Sequence, residues 1–274
     1  MYETSPHHST EVVMISRYAL QIAAFGLFAG FVALPTARAA EPPPPVNPAI
    51  SEEAATAVSQ MGKTLLSKEL SFTAKTIRVY HDEAGQPLHI FHSMNVVARR
   101  PDRLAAHITG DDGSHDLIYD GKSVAVSSSS RNEYVVVPAT GDILSALYTV
   151  EELNPDFPLV DFFTEAPDRS FLSGVTAGWQ VGTNNVDGVE CRHLFFSQRG
   201  GVDLELWVEK NDAAVPHRLI VTYRMVPGQP DFIAEFGNWN ATVHPSEAEF
   251  TFQPPADAKK IELGQAIRAG EEQE

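Results

Sequence analysis

The sequence is poor in cysteine, in positive charge and in catalytic signatures, and each shortage removes a class of function. Cys191 is the only cysteine. A lone thiol cannot close an internal disulfide. It serves as a nucleophile, as an intermolecular bridge, or as a small buried hydrophobe within a strand, and the last reading is adopted here. The chain sets 36 acidic residues against 20 basic ones, for a formal charge of −16. Such a surface repels phosphate backbones and anionic head groups, which excludes nucleic acid as a partner. No His-Glu-x-x-His motif and no paired Cys/His spacing occurs. His89 and His92 are three apart in a strand and so face opposite sides. No metal or other cofactor is expected. A Gly-x-Ser-x-Gly elbow is missing, as is a Gly-rich nucleotide loop after a strand. The acid pairs Asp111/Asp112 and Glu151/Glu152 sit where solvated turns or a helix end belong. Ser127–Ser130 is a polar run at a strand end. A triad assembled from distant residues stays open, so a hydrolase is the third functional reading.

Long apolar runs are also lacking, with one exception. Tyr18–Leu34 is uncharged, follows Arg17 and precedes Ala37-Arg38-Ala39. A basic start, a short apolar core and an Ala-x-Ala site predict a secretory signal peptide over 1–39, with Met14 a better start than Met1. His7 and His8 are lost with it. The expected product is soluble and periplasmic, without a stable membrane anchor. Cleavage leaves about 235 of the 274 residues, enough for one large β domain. We divide the rest into a Pro-rich spacer over 40–50, a domain over 51–264 and a polar tail over 265–274.

What is present is alternation. Ser51, followed by Glu52 and Glu53, predicts the N-cap of a helix running to about Leu66, with Ile50, Ala54, Val58, Met61 and Leu65 on one face. Beyond Leu70 the period becomes two. Strands are predicted over Ser71–His81, Leu88–Ala98, Arg103–Thr109, Asp116–Tyr119, Lys122–Ser127 and Tyr134–Val137, joined by turns such as Asp120-Gly121. Gly141–Leu153 has helical spacing and stops at Asn154-Pro155. A second short helix is expected over Pro158–Thr164, ending before Pro167. Strands resume at Gly174–Gly182, Val189–Ser197, Val202–Glu209, His217–Met225 and Phe232–Asn240, with a last one over Glu249–Gln253.

The fold class is therefore mainly β with an α lid. About 11–12 antiparallel strands form an unclosed half-barrel, because a sheet of that size must curl to bury a face. The N-terminal helix and the mid-chain helical insertion cover its concave side. In Val202–Glu209, Leu204, Leu206 and Val208 share a face with Val202, opposite Trp207 and the acids. In the next strand Leu219, Val221 and Tyr223 do the same. His217 shares their parity, either as a lip residue of the cavity or as a strand-end histidine, and we adopt the second. From the earlier strands Leu104, Ile108, Leu117 and Tyr119 are candidate cavity residues. The insertion contributes Ile143, Leu147, Phe162 and Phe163.

Specific stretches carry a resemblance. "SFTAKTIRVYHDEAGQPLHIFHSMNVVARRPDRLAAHI", "LIYDGKSVAV" and "AEFTFQPPADAKKIEL" occur in the order and spacing of the LolA/LolB/LppX-like lipoprotein-carrier superfamily. Over about Asn47–Leu263 the chain looks most like a family of periplasmic proteins within it, domain of unknown function 2092. The resemblance implies a half-barrel with a helical lid over a cavity for acyl chains. It also implies that Arg100, the arginine before Pro101, latches the lid by hydrogen bonds to lid backbone. The other reading of Arg100 is a strand-end arginine in water. Two features depart from the carrier pattern: Val, Ile, Leu and Met replace Trp and Phe on the concave strands, and an extra turn surrounds Asn184–Gly188.

The reading that follows is a non-catalytic periplasmic carrier or sensor of a lipid or other apolar small molecule. The alternative is a regulatory module with a filled interior, contacting an envelope or outer-membrane protein through exposed aromatics such as Trp207 or Trp239.

Overall fold

The computed structural model describes residues 49–82, 84–150 and 159–264. The leader, nearly all of the spacer, the expected helix stop at Asn154-Pro155 and the tail lie outside the described residues.

Helix α1 spans Glu52–Leu65, with the Ser51 hydroxyl accepting from the Ala54 amide at 3.3 Å. Glu52 and Glu53 sit at the positive end of its dipole and Lys63 at the other. Its buried face is the expected one, extended by Ala57 and Gly62. A Cβ on Gly62 would lie 2.8 Å from that of Asp168, so the glycine lets another lid element approach closely.

Six strands follow as a meander: β1 Glu69–His81, β2 Pro87–Arg99, β3 Arg103–Gly110, β4 Gly113–Tyr119, β5 Ser123–Ser128 and β6 Glu133–Pro138. The insertion comprises helix α2 Ile143–Tyr148, a 3-10 turn Val160–Phe163 and helix α3 Pro167–Phe171. A second meander then runs through β7 Val175–Val186, β8 Val189–Gln198, β9 Val202–Glu209, β10 Pro216–Tyr223 and β11 Asp231–Asn240. Two-residue β12, Lys259–Lys260, completes the order β12-β6-β5-β4-β3-β2-β1-β11-β10-β9-β8-β7. The two meanders thus join where the first strand pairs with the eleventh, and the sheet does not close. Every pairing between these strands is antiparallel except β12 with β6, which is parallel, and Ile50 adds an isolated parallel bridge to Gly178.

Several expectations need correction. Glu249–Gln253 is not a strand: Glu247–Phe250 forms a 3-10 turn, and residues 251–253 join no ladder. Its Phe-x-Phe alternation is satisfied by packing instead, with Phe250 and the partly buried Phe252 set against Ala105 and Ile118 on the outer face. The short helix does end before Pro167, but Pro167 also opens a further helix, α3, where its fixed φ and missing N–H suit the first turn. The helix expected over Pro158–Thr164 is a single 3-10 turn within its described part. Asn184 and Asn185 belong to β7, and only Asp187-Gly188 turns, with φ of 50° and 88°. Positive φ at both positions is what a primed two-residue hairpin turn demands. β10 stops at Tyr223, leaving Met225 in a turn and highly exposed.

One continuous core lies between the sheet and its helices. The helix-bearing face is here called concave and the opposite face convex.

Candidate functional site: the concave face and its helical cover

All fourteen expected cavity residues meet in that one core. Leu104, Tyr119, Ile143, Leu147, Phe162 and Phe163 are buried, as are Leu204, Leu206, Val208, Leu219 and Val221. Ile108, Leu117 and Tyr223 are half-buried against them. Alternation brings the strand residues to one face, and the insertion lays its own apolar residues on top.

Three strand aromatic residues outside the expected cavity set surround Phe162. Its ring centroid lies 6.3 Å from Phe72, 5.4 Å from Phe236 and 6.3 Å from Trp239. Trp239 stacks on Phe72 at 4.5 Å, and its indole N–H donates to the Pro216 carbonyl at 2.8 Å. The concave face is therefore richer in aromatic rings than the strand composition suggested. Trp239 is no exposed anchor. A register shift between Ser71 and Thr73 on β1, opposite β11, changes the alternation that would have placed it outside.

Trp207 is buried, where Trp239 is half-buried, although it lies on the convex face as expected. The His193 ring stacks on it at 4.0 Å, and the Arg218 guanidinium lies 5.5 Å from its centre. Cys191 packs beside it with Val186. Burial pushes the Cys191 thiol up to about 11, with Glu209 adding to the rise. A second bulge, between Pro216 and Arg218, accounts for His217, whose Nε2 lies 3.4 Å from Glu209 Oε2. Neither anchor expected for a protein partner is thus exposed.

The polar centre of the cover is Arg100. From the end of β2 its Nη2 donates to Phe162 O at 2.8 Å and its Nη1 to Phe163 O at 3.0 Å and Thr164 O at 3.2 Å. Nε and Nη2 donate to Leu65 O at 3.3 and 3.1 Å. One side chain thus satisfies carbonyls at the C-terminal end of α1 and along the 3-10 turn, groups that a helix end leaves without partners. Burial lowers its pKa, opposed by Asp142. The next residue carries the link to α2, whose first amide, Ile143 N–H, donates to Pro101 O at 2.9 Å. Asp142 caps α2 through Ser145 N–H at 2.8 Å. Asp161, within the 3-10 turn, accepts from the Ser170 hydroxyl of α3. Burial raises its pKa, and the Ser170 bond only partly offsets this.

Toward the far end of the strands the concave face turns polar. Arg78 lies 5.4 Å from the Phe232 ring centre, and burial lowers its pKa. His92 Nε2 meets Asp112 Oδ1 at 2.8 Å. Among the described residues no three His, Cys, Asp or Glu side chains gather as metal ligands would. Two clefts, of about 310 and 270 Å³, lie on the convex face beneath the segment that carries Phe250 and Phe252.

Residues 54–264 match a family described as predicted periplasmic protein, DUF2092. The chain belongs to this family. DUF2092 membership makes the protein periplasmic, and among the described residues no helix is long and apolar enough to cross a membrane. No match was found among curated proteins. Among solved structures the DUF2092 chain is similar to an uncharacterized conserved protein from Thermus thermophilus. They share 12% identity over 77% of this chain and 99% of the other, with a TM-score of 0.46. It is similar to the Mycobacterium tuberculosis lipoprotein LppX at 15% identity, 71% and 99% coverage and a TM-score of 0.45. LprF from Mycobacterium bovis matches at 13% identity, 73% and 99% coverage and a TM-score of 0.46. The membership of this family that the sequence stretches suggested holds.

Proposed function

We propose that this DUF2092 protein is a non-catalytic periplasmic carrier or sensor that takes an acyl chain, or an apolar molecule of similar shape, between sheet and helical cover. The Arg100 clamp is the observation that carries the reading. The seam between cover and sheet is apolar, while one guanidinium supplies directional bonds to α1 and the 3-10 turn at its rim. Such a seam exchanges protein side chains for ligand methylenes at little net cost, each buried methylene contributing about 0.8 kcal/mol. Arg100 then acts as the latch of the lid, and the fourteen apolar residues line the space that opens.

The test is uptake of a fluorescent fatty-acid analogue by delipidated protein, combined with native mass spectrometry of the protein as purified. Arg100→Ala is expected to take up the analogue several-fold faster than the parent while keeping its far-ultraviolet circular dichroism. Absence of uptake in both proteins, together with no co-purified apolar ligand, would overturn the reading.

A further inference from the structure

The edge of the sheet at β6 is only half covered. β12 pairs with Glu133 and Tyr134 alone, and the last bond along this edge runs from Ile261 N–H to Tyr134 O at 2.9 Å. Backbone alternation fixes what lies beyond. The Ala139 amide donates to Lys122 O, and the register of β5 with β6 makes the Val124–Val137 and Val126–Val135 pairs the hydrogen-bonded ones. The N–H and C=O of Val136 therefore point away from β5, toward the sheet edge. The C=O of Pro138 points the same way. Among the described residues no strand pairs with them.

The side chain of Val136 points to the convex face, into the cleft of about 310 Å³. Ile118, Ala125 and Val136 form its floor, and Phe250, Phe252 and Pro254 its wall. Residues directly opposite on paired strands project to the same face. A residue paired with Val136 would thus send its own side chain into this cleft. Lys260, opposite Tyr134, lines one end. Asp120 lines the other, close to Ser123 and its partner Pro138.

We infer that this edge accepts an extended peptide segment as an added strand, with an apolar side chain in the cleft opposite Val136 and a basic residue toward Asp120. A backbone presents a donor and an acceptor at the spacing Val136 requires and repeats them along the edge to Pro138, which a lipid chain does not. The site continues a pairing that β12 begins, and it stands on the opposite face from the seam proposed for apolar ligands. It does not depend on that reading. Three backbone bonds and one side chain make a small, transient contact.

The test is titration of ¹⁵N-labelled full chain with two blocked peptides, Ac-Phe-Thr-Lys-NH2 and Ac-Lys-Thr-Phe-NH2, which serve the two strand directions over Val136 to Pro138. One order is expected to shift the amides of Tyr134 to Val137 and of Ile118. N-methylation of the phenylalanine in the antiparallel order, or of the residue after it in the parallel order, is expected to weaken binding about tenfold, the loss of one backbone bond. The inference fails if neither peptide shifts these amides at millimolar concentration. It fails equally if the N-methylated peptide binds as well as its parent, since the cleft then takes a side chain without a strand, or if the shifts map to another surface.

Discussion

Arg100 joins parts of the chain that lie far apart in sequence, and its chemistry sets what a substitution does. Lysine keeps the charge but offers no planar fork, so it cannot serve Leu65, Phe162 and Phe163 together. Arg100→Ala is expected to lower stability by about 2–4 kcal/mol, since carbonyls buried at the rim lose charged donors. Arg100→Lys should fall between, and urea denaturation distinguishes the three proteins. Asp161 acts in the opposite sense. Its folded pKa lies above the ordinary 3.8, so the folded state binds the proton more tightly than the unfolded chain does. Its contribution to stability is present at acid pH and is lost as pH rises through the folded value. Asp161→Asn is therefore expected to gain stability relative to the parent as pH is raised from about 4 to 7, measured by thermal melts across that range. Cys191, with its thiol near 11 and fully buried, should resist a thiol reagent at pH 8 in the native protein. The same reagent should label it fully in denaturant.

Elements were legible in the sequence to the extent that their patterns are local. Ser51 with its acidic neighbours marks the start of α1, and strict alternation in β9 and β10 places Leu204, Leu206, Leu219 and Val221 on the correct face. Alternation fails wherever the register slips, because an added residue leaves no trace in composition. The slips at Ser71/Thr73 and Pro216/Arg218 account for the misplacement of Trp239 and the odd parity of His217. Phe250 and Phe252 have the spacing of a strand, yet their partner is a convex-face patch rather than a ladder. Nothing within residues 249–253 distinguishes those outcomes. Gly62 is a further case, since its role appears only once Asp168 is brought against it. Gly62→Val is expected to destabilise the fold by about 1–3 kcal/mol and to hasten uptake of an apolar probe while Arg100 is intact. Parent-like stability and uptake in that variant would contradict close packing between α1 and α3.

For the whole molecule, sheet order matters more than any single contact. The half-barrel and its lid were expected from strand number and from the resemblance, but the pairing of β1 with β11 was not visible, because no local signal links residues so far apart in sequence. That pairing puts β1 at the middle of the sheet with partners on both sides, while β7 lies at one edge and β6 near the other. Amides of β1, β2 and β11 are expected to exchange slowest with deuterium, and those of β6 and β7 fastest among the strands. Uniform exchange across the sheet would argue against this order.

The position of β1 also governs how the chain assembles. Apart from the outer sides of β1 and β6, strands β1 to β6 need only neighbouring partners and form as they become available. The second side of β1 waits for Phe232–Asn240, more than a hundred residues later. An exported chain that emerges with its N-terminus first therefore carries an unsatisfied edge through most of its synthesis and transit. During that interval Phe72 and Ala74 lack their final neighbours, and β1 is the segment most in need of shielding from other chains.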